Sequence, residues 1–215
     1  EGGVAPMLTE SSRRGEKTGA RLHLGCFDQA LSGWVNTDIT PHIFVARTPG
    51  LARLLFRLGL ISERRYRQHR EGAFRHARYL DVRRRFPFAG ETFDCIYSSH
   101  MLEHLSPRDA SRMLCECRRV LKPGGVLRIA VPDLDRIIAA YRPEEAARTL
   151  ELLFEAAHGG GKNAHHWQYN AHLLEAALRQ AGFRRVERCA YRQGACPGVE
   201  NIDSRPDSLF MEAYK

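Results

Sequence analysis

Short apolar segments that end on a glycine or an acid, separated by helix-like stretches, constrain this chain more than any other feature. Arg21-Leu22-His23-Leu24-Gly25 reads as a strand ending at glycine, Trp34-Val35-Asn36-Thr37-Asp38 as one ending at an acid, and Tyr79-Leu80-Asp81 as a third, also ending at an acid. Phe93-Asp94-Cys95-Ile96-Tyr97-Ser98 is a buried-strand pattern, Val126 to Val131 is another closed by Pro132, and 184–192 and 208–215 read as the last two. Helices fill the gaps. Ser106-Pro107 supplies a cap and a first-turn proline for a helix running to Leu121, which Lys122-Pro123-Gly124-Gly125 stops. Further helices are expected over 133–141, 143–157 and 170–181, with a glycine-rich loop at 158–162. This alternation predicts an α/β fold with a mainly parallel sheet covered on both faces. Such sheets take ligands at the carboxyl ends of their strands. Glycine there lets the backbone approach a ligand closely. With two nearby acids, for ribose hydroxyls and an adenine amino group, the pattern suits a nucleoside that carries a positive charge.

The 215 residues fit one domain, with 1–20 read as a frayed tail. Apolar residues are 43% and charged residues 27%, a globular balance that excludes a disordered chain. No apolar run approaches the ~20 residues of a membrane-spanning helix. The start of the chain lacks the apolar core of a signal peptide. None of the six cysteines forms a C-x-x-C pair, which disfavours zinc ribbons and thioredoxin-like chemistry. Reduced thiols in a cytoplasmic protein are expected. The net charge of +8 is concentrated in one place. The stretch 47–78 holds nine arginines against Glu63 and Glu71 and is expected to form two helices, one starting near Pro49 and one over 63–77. It reads as a basic insert or lid at about 45–78: either a solvated face, a homodimer contact, or a surface for an anionic partner or substrate.

Several motifs resemble class I S-adenosylmethionine-dependent methyltransferases, and in particular a bacterial group often found beside polysaccharide and natural-product genes. They are Leu22-His23-Leu24-Gly25-Cys26, Gly33-Trp34-Val35-Asn36-Thr37-Asp38, the block from Asp94 through Ser98-Ser99-His100-Met101-Leu102-Glu103-His104-Leu105, and Val120-Leu121-Lys122-Pro123-Gly124-Gly125. The resemblance spans 21–215 and implies a Rossmann-like sheet of about seven strands whose last two form an antiparallel hairpin. It implies S-adenosylmethionine as cofactor, with Gly25, Cys26 and Phe27 at its methionine end and Asp38 on the ribose. Asp81 would meet the adenine amino group, Val82 would lie beside the ring, and Ser98 and Ser99 would sit near the sulfonium. One position departs from the family, where glycine usually follows the cysteine and Phe27 stands here. A positive φ at Phe27 would be strained, and would weaken cofactor binding or reshape the loop. The Gly25–Asp38 spacing of 13 residues is short against the ~20 of dinucleotide folds, which disfavours a nicotinamide dehydrogenase.

A sulfonium is already a good methyl donor, so the protein must align the acceptor, exclude water and manage a proton. Histidine is the usual base for a hydroxyl acceptor, and a metal is the other solution. His100, Glu103 and His104 have i, i+3, i+4 spacing and would share one face of a helix, with His165-His166 arriving from later in the chain. His100, His104 and His166 are the candidate catalytic residues. A related Glu-x-x-Glu-His block with a distant histidine binds a divalent cation in ubiquinone O-methyltransferases and small-RNA 2′-O-methyltransferases. Here His100 replaces the first glutamate, so no metal is assigned. H-x-x-E-H is also a zinc-peptidase signature, disfavoured by its place after a strand. Tyr141, Trp167, Tyr169 and Tyr191 are candidate pocket walls or core residues. The expected activity is O-methylation of a small molecule, sugar or natural-product hydroxyl. The alternatives are N-methylation, an RNA methyltransferase, which lacks support from any basic–aromatic interleaving, and a non-catalytic partner subunit.

Overall fold

The computed structural model describes residues 19–154 and 164–215. Most of the expected N-terminal tail, and the whole glycine-rich loop at 158–162, lie outside the described residues. Seven strands form one sheet: β1 (Arg21–Leu24), β2 (Val35–Asp38), β3 (Ala77–Tyr79), β4 (Phe93–Ser99), β5 (Leu121–Pro132), β6 (Arg185–Cys189) and β7 (Ser208–Tyr214). Their order is β3-β2-β1-β4-β5-β7-β6, with the first five parallel and β7 antiparallel to both neighbours. The order reverses at β1, so the carboxyl ends of β1, β2 and β4 meet at the crevice where such sheets take ligands.

Helix positions follow local chemistry. Helix α4 (Pro107–Val120) starts where the Ser106 hydroxyl accepts the Asp109 N–H at 3.2 Å. It buries Ala110, Met113, Leu114 and Cys117, a helical stripe pressed on the sheet. Helix α7 (Ala171–Gln180) is capped by Asn170 and buries Leu174 and Leu178 in the same cluster. The sheet's other face is organised differently. Arg128, in the middle of β5, is fully buried and bonded to Asp203 and Glu212. It also donates to the Gln193 carbonyl, which ties the loop before α8 (Val199–Ile202) to the strand. Desolvation alone would lower the Arg128 pKa, but the two carboxylates more than offset it and hold the pKa above the ordinary value. The described cysteines are free thiols.

Several boundaries differ from the expectation. The third strand is Ala77–Tyr79, two residues earlier, because Asn36 and Asp38 pair with Ala77 and Tyr79 and the chain turns away before Asp81. Within 47–78 the insert holds the two expected helices, and a further helix that the sequence did not reveal lies just before it. Helix α1 (His42–Arg47) precedes α2 (Leu51–Arg57) and α3 (Glu63–Arg70). Two β-branched residues and a single buried one, Ile43, gave α1 no readable stripe. The predicted second helix stops at Arg70 because Gly72 takes a positive φ of 79°. The Lys122–Gly125 turn lies inside the β5 span as a bulge, since pairing jumps from Phe93–Leu121 to Cys95–Val126.

Candidate active site

The glycine loop after β1 is held by backbone bonds. Gly25 has a φ of 71°, and a Cβ there would come within 2.6 Å of the Met101 side chain, so both conformation and space select glycine. The Cys26 N–H donates to the Thr37 carbonyl at 3.0 Å. Burial, and next the Asp38 charge, push the Cys26 thiol up to about 12, so it stays neutral. Phe27 takes a φ of 44°, a conformation costing about 1–2 kcal/mol for a residue with a side chain. What it gains is a set of contacts from the insert. Its ring meets Phe74 edge-on at 5.7 Å, and the Arg65 guanidinium lies 4.5 Å above it. Gln68 of α3 donates to Asp28 beside it. The insert thus packs on the glycine loop.

The acids at the strand ends are in different states. Asp38 accepts the Phe27 N–H at 2.9 Å and the Thr40 N–H at 2.7 Å. A carboxylate has about four acceptor positions, so two remain for hydroxyls. Asp81 is nearly buried, and both its oxygens accept from the Arg83 guanidinium, at 2.8 and 2.9 Å. These bonds to Arg83 are the main cause holding the Asp81 carboxyl below its ordinary range. An adenine amino group at Asp81 would have to share it with Arg83. Val82 packs against the main apolar cluster. Ser98 is fully buried opposite Leu24, and its hydroxyl has no hydrogen-bond partner. A buried polar orphan at a strand end marks a place for a water or a ligand. Ser99 closes β4 opposite Ala130.

The histidine block does not form an α-helix. His100 has a φ of 50°, and Leu102–His104 is a single 3-10 turn. This brings His100 Nδ1 to 3.2 Å from Glu103 Oε1, outside the angle of a hydrogen bond. His100 Nε2 lies 2.8 Å from the Ser208 hydroxyl, and Nδ1 lies 3.3 Å from an Arg205 nitrogen. The two partners of Nδ1 ask for opposite tautomers, Arg205 for a lone pair and Glu103 for a proton. Glu103 is fully buried, and among the described residues neither oxygen has a hydrogen-bond partner. Its backbone carbonyl accepts from the His166 and Trp167 N–H groups at 2.8 and 3.1 Å, pinning the later segment on the block.

That pinning brings His165 inward, and it leaves His166 exposed. The His165 and His104 rings meet edge-on at 4.9 Å, and one donor atom each from Glu103, His104 and His165 lies within 4.8 Å of the others. Two imidazoles and a carboxylate are a donor set that could hold a divalent cation. His104 Nδ1 faces the Ala164 carbonyl at 3.3 Å, which leaves its Nε2 lone pair free to serve as ligand. Tyr169 is buried, Tyr141 and Trp167 are exposed, and Tyr191 packs on Phe210.

Sequence reasoning missed Ser208 and the cavity beside it. A cavity of about 440 Å³ is lined by Asp133, Arg136, Arg188, Tyr191, Ser208 and Phe210 among others. Ser208 therefore joins this cavity to His100. Nothing in a lone serine at the start of the last strand distinguishes it in the sequence.

A family model described as a methyltransferase domain matches residues 60–129. The solved S-adenosylmethionine-dependent methyltransferase from Mesorhizobium loti is 19% identical, with 92% of this chain covering 91% of that one at a TM-score of 0.50. The matched stretch, about a third of the chain, and the shared fold agree with the resemblance to class I S-adenosylmethionine-dependent methyltransferases. A possible exported protein from Bordetella parapertussis shares this fold at 14% identity, a TM-score of 0.51, and coverage of 92% and 62% of the two chains. A possible histamine N-methyltransferase from Thermotoga maritima is 16% identical over 92% and 82%, with a TM-score of 0.49. No curated protein matches the sequence. The acceptor is not fixed by fold.

Proposed function

We propose that this methyltransferase transfers the methyl group of S-adenosylmethionine to a hydroxyl of a small, polar acceptor such as a sugar. The observation that carries the reading is the line Ser208–His100–Glu103 at the edge of a cavity that mixes charged and apolar side chains. In this reading His100 takes the acceptor's proton at Nε2, with Ser208 as the relay from the cavity. Glu103 faces Nδ1 and stabilises the imidazolium that forms, an orienting role for a buried carboxylate. Arg136, Arg188 and Asp133 line the cavity and suit a hydroxyl-rich acceptor better than an apolar one.

The cofactor would sit on the loop of Gly25, Cys26 and Phe27, with its ribose on Asp38, Val82 beside the adenine, and Ser98 and Ser99 near the sulfur. When bound, it supplies an electrophilic methyl group. The free acceptor positions of Asp38 and the orphan hydroxyl of Ser98 support this placement, and Asp81 supports it least because Arg83 already holds it. The test is methyl transfer to hydroxylated glycans and metabolites, with and without a chelator. His100→Gln is expected to lower kcat by about a hundredfold, with KM and cofactor binding little changed. The wild-type pH profile should show an ionisation that the variant lacks. Unchanged kcat in His100→Gln would remove the base assignment. Loss of activity on chelation would move the chemistry to Glu103, His104 and His165 as cation ligands.

A further inference from the structure

Helix α2 buries no residue and packs mainly on the neighbouring helices α1 and α3. The segment from its middle onward presents Leu54, Phe56, Leu58 and Leu60 to solvent, with Leu58 and Leu60 62% and 67% exposed. Phe56 stacks on Tyr66 at 4.6 Å, while Leu54 and Leu58 lie one helical turn apart and Leu60 follows two residues on, more than scattered surface hydrophobics. Arginines surround them. Among the described residues, Arg53, Arg57, Arg64, Arg70, Arg75 and Arg78 are exposed and make no ion pair. Beside the tip lies a cavity of about 220 Å³ lined by Thr48, Arg53, Tyr66, His69, Arg70 and Arg75 among others. His69 is 93% buried, its Nε2 faces His42 Nδ1 at 3.0 Å, and its own Nδ1 has no partner. Three guanidinium groups that make no ion pair among the described residues, and the His69 ring nitrogen, line one small cavity and suit an anion of about the size of a phosphate group.

We propose that the helical insert docks on an anionic lipid surface, with Leu54, Leu58 and Leu60 entering the acyl boundary and Arg53, Arg70, Arg75 and His69 receiving a lipid phosphate. Charge complementarity selects this occupant. The insert's net charge is strongly positive and is placed on the same tip as the apolar side chains, the pairing that holds peripheral segments in the headgroup layer. A second copy of this chain would bring the same arginines against one another. The docking does not rest on which hydroxyl is methylated. It places the methyltransferase where a lipid-linked acceptor would be, and α3 carries the contact onward to the glycine loop through Arg65 and Gln68.

Co-sedimentation of the full chain with vesicles tests this. Vesicles of phosphatidylcholine containing about a third phosphatidylglycerol are expected to bind at least about tenfold more protein than phosphatidylcholine alone. The difference should shrink steeply with salt. Leu58→Asp with Leu60→Asp should lose about tenfold of that binding while its unfolding curve overlays the wild type. Arg53→Ala with Arg75→Ala should weaken it as well. Equal binding to neutral and anionic vesicles would overturn the proposal, as would full binding by the Leu58/Leu60 variant. A cavity that takes inorganic phosphate, with vesicle binding unchanged in the arginine variant, would assign it to free phosphate instead. A dimer seen by light scattering without vesicles, and split by the Leu58/Leu60 variant, would make the tip a self-association surface.

Discussion

Phe27 and Glu103 are each held in a state that the isolated residue would avoid, one in backbone conformation and one in charge environment. Phe27 is legible in sequence as a departure, and its strain is legible too. Its compensation is not, because Phe74 and Arg65 lie roughly forty residues away and only the fold brings them together. Glu103 is the reverse case. Its spacing to His100 and His104 is visible, but its complete burial without a hydrogen-bond partner is not. A buried carboxylate so placed costs stability, and such costs are retained where function needs them. Glu103→Gln is therefore expected to raise stability by about 1 kcal/mol in chemical denaturation while methyl transfer falls at least tenfold. A variant that is both less stable and fully active would show that the carboxylate serves packing alone.

Among elements, those with a strong local signal are the ones the sequence reveals. Helix α4 has its cap, its first-turn proline and a buried stripe, and its bounds match the reading. Ser106→Ala should cost the protein about 1 kcal/mol, measured as a shift in the urea midpoint, because the Asp109 N–H loses its acceptor. No shift would mean that water replaces the cap without loss. Helix α1 and the true end of α3 escape a reading of this kind, since one buried residue and a positive-φ glycine set them. The His100 block escapes for another reason. Helical spacing puts His100, Glu103 and His104 on one face, but the positive φ of His100 and the 3-10 turn replace the α-helix. His165 rather than His166 joins the cluster because the Glu103 carbonyl, which accepts both following N–H groups, fixes the rotation of that segment.

Across the whole molecule, the order of the sheet and its antiparallel final hairpin agree with what the family resemblance implies. The candidate site is legible where it lies at strand ends, Gly25, Asp38 and Ser98. It is hidden where the chain closes on itself, Ser208 and the cavity. Burial of histidines gives the fold a pH signature. Desolvation pushes His23 down to about 4, opposed by its bond to Asn36, and His42 is likewise down to about 4 by burial and then Arg65. The unfolded chain binds protons near 6.5 that the folded one refuses, so stability is complete above about 6.5 and falls as pH drops toward about 4. The buried His23 alone contributes roughly 2–3 kcal/mol across that window. Urea unfolding across it should show this slope, flattened in His23→Gln, and an equal slope in both proteins would assign the acid sensitivity elsewhere.

The most direct measurement is calorimetric titration of the purified chain with S-adenosylmethionine and with S-adenosylhomocysteine, repeated on Asp38→Ala. The account predicts micromolar binding of either compound by the wild-type protein, despite the strained Phe27, and loss of that binding in the variant. Absence of binding up to millimolar concentration, or equal affinity in Asp38→Ala, would contradict it.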